Sequence, residues 1–139
     1  MKISEKGIEL IKQFEGCKLT SYKDAVGVLT IGYGHTGADV KEKQKITQKK
    51  ADELLKEDLH RFELHVSEYR KKYKFTQNEF DALVSFAFNI GNINQLTKYG
   101  KRNKGQIADA ILLYNKAGGK VLNGLVKRRK AEHDLFVSV

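Results

Sequence analysis

Glu15, Asp24 and Thr30 lie in the stretch "FEGCKLTSYKDAVGVLTIGYGH", residues 14–35, with the spacing E-x8-D-x5-T. Two carboxylates suit cleavage of a glycosidic bond. One must be protonated near neutral pH to donate to the leaving oxygen, and the other ionised to activate water or stabilise positive charge on the sugar. Their surroundings therefore have to differ. Glu15 follows Phe14 at the end of an apolar helical run, where burial and the negative end of the helix dipole favour the neutral acid. Asp24 falls in a turn, solvated and ionised, and Thr30 adds a hydroxyl able to hold a water in place. The spacing alone is a weak signal, because acidic residues near turns are common. A surface turn fits it as well as a site.

The elements that must position these residues are marked by glycines and caps, since the chain has no proline. Ser4 is an N-cap for a first helix bearing Ile8, Ile11 and Phe14, stopped at Gly16. "KLTSY" and "VLTIGY" read as strands joined by the turn "KDAVG", with Gly27 relaxing the backbone. Residues 36–46 are polar and offer a weak third strand. Thr47 opens an apolar stripe of Ala51, Leu55, Leu59, Phe62, Val66, Tyr69 and Tyr73. That predicts one helix of roughly seven turns, long enough to bridge two lobes. A coiled coil is the rival, but the run has too few heptads. Thr76 and Glu79 form a capping box ahead of "FDALVSFAFNIG", a helix apolar nearly all round and ended at Gly91. Short helices are expected at 93–103 and 105–115, then a loop at "NKAGGK" and a last amphipathic helix at "NGLVKRRKAEHDLF".

The chain has 139 residues, 40% apolar and 31% charged, which predicts one folded domain over 1–139. Its single cysteine, Cys17, cannot form an internal disulfide, in keeping with a reducing compartment. The N-terminus "MKISEKGIEL" lacks an apolar core of the kind an export signal needs. The longest apolar run, "AILLY" at 110–114, is too short to span a membrane. The net charge of +9 favours an anionic partner such as nucleic acid, an acidic membrane surface or a cell wall, or simply keeps the surface soluble.

Four segments, "FEG", "YKDAVGVLTIGYGHT", "QNEFDALVSFAFNIG" and "YNKAGGKVLNGLVKRRKAE", resemble in order the motifs of the bacteriophage lysozymes (endolysins), the T-even-phage-like muramidases. The likeness covers nearly the whole chain. It implies an α+β, mostly helical, two-lobed lysozyme-like fold: a small N-terminal β-hairpin lobe, a long connecting helix and a helical C-terminal lobe. It also implies hydrolysis of the β-1,4 bond between N-acetylmuramic acid and N-acetylglucosamine in bacterial peptidoglycan. Residue by residue, Glu15 falls on the family's catalytic acid, Asp24 on its second carboxylate and Thr30 on its active-site threonine. Phe88 falls on an aromatic position of the cleft wall, or is a core phenylalanine. Thr36 and Gln95 fall near saccharide-contact positions, although their types differ from those of the T-even enzyme. Arg128 either pairs with Glu15 or belongs, within "KRRK" at 127–130, to a solvated basic face. His35 is a catalytic histidine or, better, a buried, paired structural one.

No cofactor is expected. His60 and His65, five apart, do not share a helix face, so no metal site is expected either. Cys17 is read as a small buried hydrophobe rather than a redox switch. The expected enzyme is a monomer without nucleic-acid partner or stable membrane insertion. It would wait in the host bacterial cytoplasm until a separate pore-forming protein releases it to the wall. Two rivals remain: a basic non-catalytic module binding wall polymer or nucleic acid through patches such as "KYGKRNKGQ", and a lytic transglycosylase, which needs one glutamate and no water.

Overall fold

A computed structural model describes residues 1–139. Helix α1, Glu5–Glu15, forms where Ile8 and Ile11 recur on one face, and both are buried. Gly16, at φ 69°, ends it and donates to the Lys12 carbonyl at 3.1 Å. Left-handed backbone favours glycine, which has no Cβ to strain.

The hairpin follows as expected. Strand β1, Lys18–Lys23, pairs antiparallel with β2, Leu29–Gly32, placing Tyr22 opposite Thr30. The weak third strand is only β3, His35–Thr36, which sets Thr36 opposite Thr30 and His35 opposite Ile31. The rest of 36–46 contributes a single bridge, Thr20 to Lys45. Ile31, Val40 and Leu54 make the small core here, with Leu29 and Ile46 packed on it.

Helix α2 spans Gln48–Ser67, shorter than the stripe predicted. Its end tightens: Glu68 N lies 3.3 Å from Leu64 O and 3.2 Å from His65 O, and Tyr69 N donates to Val66 O at 3.0 Å. A separate short helix α3, Arg70–Tyr73, follows and stops at Lys74, which is left-handed at φ 51°. Tyr69 and Tyr73 keep the stripe's inward direction, but their hydroxyls are spent on distant partners, Asn94 Oδ1 and Arg102 O, each at 2.6 Å. Periodicity does not register such partners, so the break was invisible to it.

Helix α4, Gln77–Ile90, has the predicted capping box and is buried from Phe80 to Ala87. Helices α5, Asn94–Thr97, and α6, Lys104–Ile111, are both shorter than expected. The left-handed run Lys98, Tyr99 and Gly100 (φ 48°, 54° and 85°) turns the chain away after α5. The expected "NKAGGK" loop is instead a hairpin, β4 Lys116–Ala117 and β5 Lys120–Val121, because Gly118 and Gly119 both take the positive φ of a two-residue turn. Helix α7, Asn123–Val137, closes the chain and packs on α4.

The molecule divides into two compact units, Lys12–His60 and Met1–Ile11 with Arg61–Val139. The first carries the three-stranded sheet and the second the helices α3 to α7. Residues 1–11 thus belong with the helical unit, not with the hairpin that follows them. Ile3 N donates to Glu63 Oε2 at 2.8 Å, Ser4 N donates to Asp81 Oδ1 at 2.9 Å, and the Ser4 hydroxyl also bonds Asp81. Ser4 stands at the predicted N-cap, its carbonyl accepting from Ile8 N at 3.0 Å, while its N–H and hydroxyl tie α1 to α4. No helix is long and apolar enough to cross a membrane.

Candidate active site

Glu15, Asp24, Thr30, His35 and Thr36 all lie in the unit Lys12–His60. Glu15 is the last residue of α1 and half-buried. Its carboxylate lies against Gly34: a Cβ placed on Gly34 would stand 3.6 Å from Glu15 Oε1. With φ at 78°, Gly34 is both the residue the backbone demands there and the floor under this oxygen. Reading from residue types alone overlooked it, though the "GYGH" pattern was the available signal.

Asp24 is built into its turn. Its Oδ1 accepts from Val26 N and Val28 N, both at 2.9 Å, while its own N–H donates to Val28 O at 2.9 Å. Thr30, only 4% exposed on β2, donates its hydroxyl to the same Val28 carbonyl at 2.9 Å. The peptide groups of Val28 thus join Asp24 to Thr30. Val28 is a second residue that side-chain chemistry could not single out, since it acts through its backbone. With its proton spent on Val28, the Thr30 oxygen presents lone pairs to anything beside it.

His35 is no base. Its Nδ1 contacts Asp58 Oδ2 at 2.9 Å and its Nε2 contacts Asp39 Oδ2 at 2.9 Å, so both ring nitrogens face carboxylates. Burial works to lower its pKa, but the hydrogen bonds and charges of Asp58 and Asp39 outweigh that and raise it above the ordinary value. The His35 ring staples β3 to α2. Cys17 is half-buried rather than buried, its Sγ 4.0 Å from Gln48 Oε1. Gln48 Nε2 donates to the Tyr33 hydroxyl at 3.0 Å and to Asp52 Oδ1 at 2.9 Å, and Lys12 Nζ pairs with Asp52 at 3.2 Å.

Phe88, Gln95 and Arg128 belong to the other unit. Phe88 is half-buried and meets Phe62 edge to face, with centroids 5.6 Å apart. Gln95 is exposed on α5, and Thr36 is exposed on β3. The reading of "KRRK" as a solvated face fails for its two arginines: Arg128 is 3% and Arg129 0% exposed. Arg128 Nε lies 3.2 Å from Glu132 Oε2, and its Nη2 donates to Ser85 O at 3.2 Å. Ser85 Oγ donates to Glu132 Oε2 at 2.5 Å. Arg129 Nε stands 3.1 Å from Glu132 Oε1, near enough to pair by charge, yet neither atom is aligned for a hydrogen bond. Burial pushes the Glu132 carboxyl up, against the pull of both arginines. No group of three or more His, Cys, Asp or Glu side chains is placed to hold a metal ion.

Residues 12–132 match the family model described as phage lysozyme. The chain is 45% identical to the endolysin of Bacillus phage B103, across 99% of this chain and 55% of that protein. It is 41% identical to the endolysin of Salmonella phage P22, across 99% of both. The chain thus spans little more than half of some relatives and nearly all of others. Among solved structures, the muramidase domain of SpmX from Asticaccaulis excentricus aligns with a TM-score of 0.85 and 35% identity, over 99% of each chain. The mixed fold of helices and small sheets and this full-length likeness agree: the chain belongs to the phage lysozyme family, a family of lysozyme-type glycosidases.

Proposed function

We propose that the chain is an endolysin-type muramidase that hydrolyses the β-1,4 bond between N-acetylmuramic acid and N-acetylglucosamine in bacterial peptidoglycan. Glu15 is the general acid and donates its proton to the leaving oxygen. Asp24 and Thr30 hold the attacking water on the opposite face of the sugar. The observation that carries this reading is the Val28 bridge between Asp24 and Thr30. A water donating one proton to Thr30 Oγ1 and the other to Asp24 keeps a lone pair for the anomeric carbon. Its proton passes to Asp24 as the bond to Glu15's side breaks, and the anomeric centre inverts. Such a mechanism needs carboxyls about 6.5–9.5 Å apart. Phe88, Thr36 and Gln95 contact the saccharide. Residues 1–139 act as one catalytic domain and as a monomer. The substrate lies outside the membrane, so the enzyme waits in the host cytoplasm for a separate pore-forming protein.

Clearing of permeabilised bacteria tests the assignment. Glu15→Gln should be slower by about 10²–10⁴, the usual contribution of a placed general acid, with unchanged Tm. Equal clearing by the variant and the wild type would remove Glu15 from the mechanism. NMR of fresh product should show the α-anomer first; the β-anomer would make Asp24 the nucleophile. An anhydro-sugar product mass would mean transglycosylation instead.

A further inference from the structure

Two segments of the helical unit, "YRKKYK" at 69–74 and "TKYGKRNK" at 97–104, hold eight of the chain's 26 cations and none of its 17 acids. Without them a net charge of +9 falls almost to zero. Tertiary structure joins the two. Tyr73 donates to Arg102 O at 2.6 Å, Lys104 Nζ reaches Lys74 O at 3.4 Å, and a Cβ on Gly100 would lie 3.8 Å from Lys72 Cγ. Arg70, Lys71, Lys72, Lys74, Lys98 and Lys101 are exposed, and none of them makes an ion pair. Lys104 alone of the eight is paired, with Glu79 at 2.9 Å. Lys74, Lys98 and Tyr99 hold left-handed backbone in the turns that bring these like charges together. Self-repulsion opposes such a cluster, and a polyanion relieves it.

We propose that this surface binds a flexible phosphodiester polymer without bases, a polymer of polyol phosphates such as a bacterial wall carries. Nucleic acid fits less well. Successive bases need successive stacking faces, and of the three tyrosines only Tyr99, 66% exposed, offers one. Tyr73 is buried and stacked on Phe75, with centroids 5.2 Å apart, and the half-buried Tyr69 ring lies between His65 and Tyr73, with centroids 6.0 and 6.4 Å away. Helix α3 has four residues, too short to enter a groove. Five of the six free cations are lysines, point charges that suit a chain of phosphates lacking fixed geometry. The proposal rests on the wall-lytic reading only for where the polymer is met.

Glu15→Gln protein, which should leave its substrate uncut, is titrated with poly(glycerol phosphate) across a salt series. The comparison is the same protein carrying Lys71→Gln, Lys72→Gln, Lys98→Gln and Lys101→Gln. Binding should weaken at least tenfold at low salt, and the log–log salt slope should fall by about 3, near 0.7 for each lost contact. The pairs Lys71→Gln/Lys72→Gln and Lys98→Gln/Lys101→Gln should each lose about half of that slope, and they serve if the fourfold variant does not fold. Sacculi stripped of their phosphodiester polymer should lose the same binding as the fourfold variant. Unchanged affinity in the variants would overturn the proposal. So would tighter binding to a single-stranded oligonucleotide of equal charge, or to anionic lipid vesicles. Because binding is read without turnover, failure here leaves the hydrolase assignment standing, and the reverse holds.

Discussion

At the scale of residues, the hairpin unit stores its order in side chains that serve backbone or carboxylate partners. Asp24 spends one oxygen on two backbone N–H groups, and Thr30 spends its proton on Val28, so neither is free to rotate. His35 does the equivalent with charge, between Asp58 and Asp39. Its pKa is raised on folding, so its contribution is full below the unfolded value near 6.5 and fades as pH climbs through the higher folded value. His35→Asn should therefore cost more stability at pH 6 than at pH 9. Urea midpoints at the two pH values check this, and a loss independent of pH would show that packing, not charge, is His35's contribution.

At the scale of elements, the close approach of α1 to α4 shows two effects in competition. Gly7 lies inside α1, where alanine would ordinarily gain about 1 kcal/mol of helix propensity. A Cβ there would stand 2.6 Å from Ile3 Cγ1 and 2.8 Å from Asp81 Cβ. Asp81 cannot retreat cheaply, because Ser4 N and Gln77 Nε2 both donate to it, at 2.9 and 2.8 Å. Overpacking of this kind costs about 1–3 kcal/mol, so the clash should win. Gly7→Ala is expected to lower Tm despite its better propensity. A raised Tm would mean that residues 1–11 shift freely on α4.

At the scale of the molecule, the helical unit is organised round buried charge. Glu132 and Arg129 are both 0% exposed, with Arg128, Ser85 and Asn89 about them. Two arginines meet one glutamate, so the glutamate is the pivot. Glu132→Gln would leave the Arg129 guanidinium, 0% exposed, without its carboxylate, which costs about 3–5 kcal/mol. That is a large fraction of the roughly 5–15 kcal/mol that holds an ordinary domain folded. Denaturant unfolding of the variant should show the loss. A change under about 1 kcal/mol would mean that water or rearrangement neutralises the guanidinium.

Much of this was legible in the chain alone because it is local. The helices α1, α4 and α7, the capping box at Thr76, and the hairpin from Lys18 to Gly32 follow from periodicity, caps and turn residues within a few positions of one another. Glu15, Asp24 and Thr30 could be named as candidates because one short stretch contains them. The end of α2 at Ser67 was not legible, since it accompanies hydrogen bonds from Tyr69 to Asn94 and from Tyr73 to Arg102, 25 and 29 residues away. Nor was the burial of Arg128 and Arg129, whose partners on α4 lie 43 and 40 residues earlier. "KRRK" reads as solvent-facing until α4 packs on it, and "YRKKYK" and "KYGKRNK" read as separate runs until folding joins them. Local free energies set which elements form. Only chain-distant contacts decide which charges are buried together and which are left facing a partner.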